Sequence, residues 1–327
     1  MNAPPLVVIT RMPPGPALIQ GARLVVGPDQ NPSREALLAM ISGASVIITM
    51  YCDKVDEAFL AAAGPQLKGI CNFAVGFENI DLQLCKQRGI TVTNTPHAVT
   101  EGTADLAWAL LLAAARRLIE ADRYARSPDY PARGQLGMRD FLGKDLTGRT
   151  LLIVGAGRIG YGVAMRSQGW GMRVLYVARS RHWDFELAPL AAERVTLMEG
   201  LPRADVVSVH CPLTQETRGM FDATTFAAMK PGAIFINTAR GAIVQEEALV
   251  QALATGHLHS AGLDVFEHEP QIHPDLIANP KVILTPHIGS AETRYRELMT
   301  QMVCESAAAI LAGKRPEFVV QPPDSER

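Results

Sequence analysis

Leu151-Leu152-Ile153-Val154 runs directly into Gly155-Ala156-Gly157-Arg158-Ile159-Gly160, and these ten residues constrain the fold more than any other stretch. Four consecutive apolar residues are too continuous for a half-exposed strand and suit a parallel strand covered on both faces. Three glycines spaced G-x-G-x-x-G then divide three tasks. Gly155 makes the tight turn, Gly157 lets the backbone approach a pyrophosphate, and Gly160 lets the next helix pack closely on the strand. Arg158 and Ile159 open that helix, whose first N–H groups and positive end face the anion. Any tight strand–helix turn can carry glycines. A second apolar run one helix length later, Met172–Val177, selects the βαβ reading and with it a dinucleotide site.

Length and composition set the outer limits. With 327 residues, 48% of them hydrophobic, the chain can fill two cores and is too long for one. Lys+Arg 31 and Asp+Glu 33 nearly cancel, so nothing draws the chain as a whole to nucleic acid or an anionic membrane. The longest apolar run, 106–115, lies between Asp105 and Arg116 and is about half a bilayer span. Leu6–Thr10, after Met1–Pro5, lacks the basic flank of a secretory signal and reads as a first strand. Cys52, Cys71, Cys85, Cys211 and Cys304 share no C-x-x-C spacing, which argues against a disulfide framework and a zinc site. The expectation is a cytoplasmic protein with no metal, membrane or nucleic-acid partner.

Along the chain, apolar runs at 6–10, 46–49, 67–71 and 90–93 alternate with helical patterns around 33–41, 55–63 and 80–88. Such alternation predicts a parallel sheet with helices on both faces. The loop 72–81 then lies at the carboxyl end of a strand, where ligands of these sheets bind. One long helix is expected from Thr100 to about Tyr124. Its face of Leu106, Ala107, Leu110, Leu111 and Ala114 reads as core, with subunit packing as the second reading. Residues 127–146 read as an irregular loop. Further strands are expected at 204–210, 233–237, 260–265 and 280–284, a helix at 245–254, a closing helix at 290–311 and a frayed tail at 321–327.

After the strand 172–177 stands Ala178, 18 residues past Gly160, where an acidic side chain would accept hydrogen bonds from an adenosine ribose. Arg179, Ser180 and Arg181 follow instead, as a 2′-phosphate requires, although a solvated basic turn has the same composition. Arg240 follows the apolar run 233–237, Glu269 precedes Pro270, and His287 sits between Pro286 and Ile288-Gly289. Each alone is an ordinary polar loop residue.

Taken in order, Val75-Gly76-Phe77-Glu78-Asn79-Ile80-Asp81, the glycine loop, His210-Cys211-Pro212-Leu213-Thr214, Asn237-Thr238-Ala239-Arg240-Gly241, Gly262-Leu263-Asp264-Val265-Phe266-Glu267, Glu269-Pro270 and Thr285-Pro286-His287-Ile288-Gly289 resemble the D-isomer-specific 2-hydroxyacid dehydrogenases. Within that family the likeness is to glyoxylate and hydroxypyruvate reductases, and it covers nearly the whole chain.

The resemblance implies two doubly wound α/β domains with a cleft between them: a flavodoxin-like substrate domain, 1–98 plus 289–327, and an inserted Rossmann domain, 99–288. It implies NAD(P)H-dependent reduction of small 2-oxo acids. Arg240 would hold the substrate carboxylate and polarise the keto oxygen. His287 would give that oxygen a proton, and Glu269 would orient the ring and favour its acid form. The backbone of Val75 and Gly76 would also cup the carboxylate. Cofactor contacts carried over are Thr103, Gly155, Gly157, Arg158, Ile159, Gly160, Arg179, Ser180, Arg181, Cys211, Pro212, Thr217, Thr238, Ala239, Arg240, Asp264, His287 and Gly289.

Ala178 departs from the NAD-preferring pattern, so NADP(H) is favoured over NAD(H). A homodimer through 100–125 is expected by analogy. A phosphoglycerate-type enzyme ranks lower because 327 residues leave no room for the regulatory tail many carry, and a formate-type enzyme because Glu269 stands where an amide is usual. A dinucleotide-sensing co-repressor shares the fold and would bind nucleotide without turnover.

Overall fold

Short runs of Val, Ile and Leu become interior parallel strands in the computed structural model, which describes residues 3–322. In chain order the first strands are β1 (Leu6–Ile9), β2 (Arg23–Val26), β3 (Val46–Met50), β4 (Gly69–Phe73) and β5 (Thr91–Thr93). Between them lie α1 (Arg34–Met40), α2 (Glu57–Ala63) and α3 (Leu82–Gln87). Ser33, Asp56 and Asp81 cap these helices by accepting the N–H three residues on, which satisfies donors a helix start otherwise leaves open.

α4 (Thr100–Ala115), α5 (Leu118–Ala125) and α6 (Asp129–Arg133) lead to β6 (Thr150–Val154), α7 (Arg158–Arg166), β7 (Arg173–Val177), β8 (Glu193–Arg194), β9 (Val206–Val209), β10 (Ala233–Asn237), β11 (Leu258–Leu263) and β12 (Val282–Leu284). A helix at Thr293–Leu311 and β13 (Val319–Val320) close the described chain. One unit takes the residues up to Val99 together with those from Ser290 on; the other is Thr100–Gly289.

The sheet of the first unit has the order β13-β5-β4-β3-β1-β2, parallel except for β13 against β5. Its parallel part is the flavodoxin-like order. The sheet of the second unit runs β12-β11-β10-β9-β6-β7-β8, the Rossmann order with one strand added at the far edge. Both α/β, doubly wound sheets are as the sequence implied. β3, β4 and β10 are buried along their full length, which explains why they are apolar apart from Thr49, Asn72 and Asn237.

Several expectations need correction. The single helix 101–124 breaks into α4 and α5 because Arg117 adopts a left-handed φ of 52° and pairs with Glu120. The last carbonyl of α4, on Ala115, is taken by the Lys144 N–H at 2.8 Å. A Cβ on Gly143 would lie 2.3 Å from that carbonyl oxygen, so this close return requires glycine there. The stretch 127–146 contains α6 and is not wholly irregular. β2, β8 and β13 escaped the pattern search because an edge strand of mixed exposure and two-residue strands carry no usable period. The strand expected at 67–71 lies at Gly69–Phe73, set by pairing Val46↔Gly69 through Met50↔Phe73 with β3. Most of the tail expected to fray lies outside the described residues.

α4 packs on β10 and β11 through its small residues. A Cβ on Gly262 would stand 2.8 Å from the Leu110 Cβ, and one on Gly162 of α7 would stand 3.2 Å from that of Ala104. Ala107, Leu110, Leu111 and Ala114 are spent on the core of this unit, whereas Leu118 of α5 is 56% exposed. No helix among the described residues is long and apolar enough to cross a membrane, and no group of three metal-ligating side chains occurs among them.

Candidate active site

The glycine turn comes first in the second unit. Gly155 has φ 107°, and a Cβ there would lie 2.4 Å from the Cys211 nitrogen, so the turn after β6 lies against the chain leaving β9. A Cβ on Gly160 would meet the Gly155 carbonyl oxygen at 2.2 Å, the close helix–strand approach anticipated for the third glycine. Gly157 is different: nothing lies within 4 Å of where its Cβ would be. It is also the N-cap of α7 and offers no side chain to the helix. An open, uncapped helix start between two sterically required glycines fits a dinucleotide pyrophosphate.

At the adenosine end, the two arginines separate. Arg181 donates from Nε to Glu186 at 2.6 Å and lies 4.4 Å over the Trp183 ring. The Arg179 guanidinium makes no hydrogen bond or ion pair among the described residues, and its charge helps hold the Glu216 carboxyl low, after the Thr214 hydroxyl and a backbone bond. Arg194 of β8 grips the loop from below: Nη2 donates to the carbonyls of Ala178 at 2.9 Å and Arg179 at 2.8 Å. Arg194 was not foreseen, since nothing in a sequence ties β8 to a loop 15 residues earlier.

The chain beside Gly155 is also tightly built. Thr217 Oγ1 donates to the Pro212 carbonyl at 2.7 Å and accepts the Thr214 N–H at 2.8 Å, closing the loop after β9. Burial pushes the Cys211 thiol up to about 11, so it stays protonated at neutral pH. His210 Nε2 lies 2.8 Å from the Ser208 hydroxyl, and burial drives its pKa down to about 3.

Beyond β10, Asn237 folds the turn that carries Arg240. Its Oδ1 accepts the Ala239 N–H and its Nδ2 donates to the Arg240 carbonyl, each at 3.0 Å. Gly241 follows because a Cβ would sit 1.8 Å from the Phe266 carbonyl. This lays the Arg240 turn directly on the segment after β11. Glu246 and Glu267 lock the two together reciprocally, each accepting the other's N–H at 2.9–3.0 Å. Thr238 Oγ1 is buried with no partner among the described residues, a hydroxyl suited to a bound group.

His287 follows β12 with φ 56°, a left-handed conformation that costs a non-glycine residue about 1–2 kcal/mol. Asp264 over-determines it. That carboxylate is 1% exposed and accepts the Thr285 hydroxyl at 2.6 Å and the N–H groups of Ile288 and Gly289 at 2.8 Å. Burial outweighs these bonds and raises its pKa. The Asp264 carbonyl accepts the His287 N–H at 2.9 Å, and Thr103 Oγ1 donates to the Gly289 carbonyl at 3.2 Å. The sequence offered Asp264 as a cofactor contact; its carboxylate oxygens are spent on the His287 turn.

The imidazole so presented has Nδ1 2.9 Å from Glu269 Oε2, while Glu269 Oε1 accepts the Phe266 N–H at 3.1 Å. Burial alone would raise the Glu269 pKa. The His287 hydrogen bond and charge, the Phe266 bond and the Arg240 charge together lower it, so the carboxylate stays ionised. Arg240, Glu269 and His287 therefore converge within the second unit, from the ends of three successive strands. An imidazole held by a carboxylate beside a guanidinium can orient an anionic substrate and transfer a proton.

The chain is similar to known proteins over most of its length. Residues 108–289 match the family model for the D-isomer specific 2-hydroxyacid dehydrogenase, NAD binding domain. A glyoxylate reductase of Thermococcus onnurineus is 45% identical over 289 residues, 88% of this chain and 86% of that protein. The crystal structure of an NADPH-dependent glyoxylate/hydroxypyruvate reductase from Sinorhizobium meliloti, in complex with NADP and malonate, has a TM-score of 0.84 at 30% identity, covering 97% of this chain and 96% of that one. That of D-lactate dehydrogenase from Aquifex aeolicus, complexed with NAD and lactic acid, has 0.81 at 27%, covering 98% and 100%. The chain belongs to the D-isomer-specific 2-hydroxyacid dehydrogenases, close to the glyoxylate reductases, and is an oxidoreductase that acts on CH–OH groups with a nicotinamide dinucleotide.

Proposed function

We propose that this enzyme reduces small 2-oxo acids, glyoxylate and hydroxypyruvate among them, with NADPH preferred to NADH. The observation that carries the proposal is the His287–Glu269 pair at 2.9 Å, set on a strained turn beside Arg240. The coenzyme supplies hydride to the carbonyl carbon.

The protein's part is positioning and proton transfer. Glu269 accepts the hydrogen bond from Nδ1–H, which leaves the Nε2–H of the doubly protonated His287 ring to face the keto oxygen. Arg240 binds the carboxylate and stabilises charge on the oxygen as the carbon is reduced. The Nε2 proton passes to that oxygen, giving the 2-hydroxy acid, and Glu269 keeps its own hydrogen bond throughout. The family likeness also assigns the backbone N–H groups of Val75 and Gly76 as donors to a 2-oxo acid carboxylate.

NADPH preference is supported by Ala178, which offers no acceptor to a ribose hydroxyl, and by the uncommitted guanidinium of Arg179. The test is NADPH and NADH oxidation with a panel of 2-oxo acids by the wild type, Arg240→Ala and His287→Ala. Equal rates in all three would refute the assignment of the site. Cytoplasmic location is supported by the five cysteines, all free thiols. The homodimer expected through 100–125 is supported by Leu118 and Ile119, exposed on α5, and light scattering tests it.

A further inference from the structure

Three successive carbonyls in the first unit each accept a hydrogen bond. After β4, the Ala74 carbonyl accepts the Thr95 N–H at 2.9 Å. The Val75 carbonyl accepts Asn94 Nδ2 at 2.7 Å, and the Gly76 carbonyl accepts Asn72 Nδ2 at 2.8 Å. In a planar trans peptide the N–H points opposite to the C=O that shares its plane. Holding the Ala74 carbonyl therefore fixes the direction of the Val75 N–H, and holding the Val75 carbonyl fixes that of the Gly76 N–H. Neither N–H meets an acceptor among the described residues.

The gripping groups are themselves fixed. Asn72, fully buried in β4, accepts the Thr49 hydroxyl at 3.0 Å and exchanges longer bonds with Asn79. Asn79 in turn donates to the carbonyls of Met50 and Asp53. Asn94 follows directly on β5, and its N–H donates to the Phe318 carbonyl at 3.3 Å, in the segment that leads into β13. A rigid sheet edge thus sets the two peptide planes.

We propose that Asn94 is a positioning residue: by holding the Val75 carbonyl it aims the Gly76 N–H, beside the Val75 N–H set by Thr95, as a pre-formed cradle for the carboxylate of the 2-oxo acid. The inference rests on the reading that these two N–H groups hold that carboxylate, and adds what fixes them. Donors held in place before binding need no reorganisation when the anion arrives.

Asn94→Asp keeps the shape, loses the donor and turns a negative oxygen on the Val75 carbonyl; Asn94→Ser shortens the reach. Both should raise KM for glyoxylate about ten-fold, Asp the more, with kcat and KM for NADPH within about two-fold of wild type. Gly76→Pro, which deletes one donor itself, runs beside them. If both Asn94 variants leave KM for glyoxylate unchanged, the proposal is overturned. A raised KM in Gly76→Pro would then show that the donors bind but Asn94 does not aim them, and an unchanged one that the carboxylate is not held there. A fall in kcat and a rise in both KM values together would also overturn it, because a general structural role moves all three.

Discussion

Replacing Glu269 by Gln tests the core of the mechanism with almost no change of shape. Glu269 accepts two hydrogen bonds, from Phe266 N–H and from His287 Nδ1, and its burial is more than offset by those donors and by Arg240. In the variant the amide oxygen keeps the Phe266 bond, and the amide NH2 turns to Nδ1, where it can face only a neutral ring. A hydrogen bond to a charged partner contributes about 1.5–3 kcal/mol and a neutral one about 0.5–1.5. The difference, about 1.5 kcal/mol, falls on the protonated ring that the reduction uses. At about 1.36 kcal/mol per decade, kcat drops roughly ten-fold. Initial rates of NADPH oxidation at saturating glyoxylate measure it, with thermal melts of both proteins as the control. A kcat within about two-fold of wild type, in a variant with an unchanged melting temperature, would refute the orienting role of Glu269.

Gly157→Ala should fold with stability within about 1 kcal/mol of wild type, because its Cβ enters open space, yet raise KM for NADPH at least about ten-fold where the pyrophosphate must approach. Gly241→Ala should instead lose more than about 3 kcal/mol in denaturant titrations, since its Cβ would overlap the Phe266 backbone. Arg179→Ala should raise KM for NADPH about ten-fold or more and leave that for NADH alone, while Arg181→Ala does little to either, as its guanidinium is tied to Glu186 and Trp183. His210 binds a proton in the unfolded chain below about pH 6.5 and in the folded protein at about 3, so stability falls as pH drops through that window. The loss between pH 7 and 5 should be about 1–2 kcal/mol by denaturant midpoints and should shrink in His210→Gln.

Much of the second unit was legible in the sequence because its signals are local. Gly155, Gly157 and Gly160 stand where a turn, an open approach and a close packing contact respectively need them. Arg240, Glu269 and His287 were legible through the family's motifs, not through spacing. The break at Arg117 was not legible, since its cause is the return of Gly143 and Lys144 to the end of α4. The register of β4 was missed by two residues, because pairing with β3 fixes it. That shift moves Asn72 from a loop into a buried strand, where it can hold Gly76.

The sequence alone determined that this chain would form two parallel α/β sheets with a glycine turn after β6. Apolar continuity, helix caps and the steric freedom of glycine act within a few residues of one another. The tertiary structure alone decided which groups meet: Glu269 with His287, Asp264 with Gly289, Asn94 with Val75. Such pairs lie 18, 25 and 19 residues apart, and their distances are set by strand register and loop closure. Those depend on the packing of the whole unit, which no local pattern encodes.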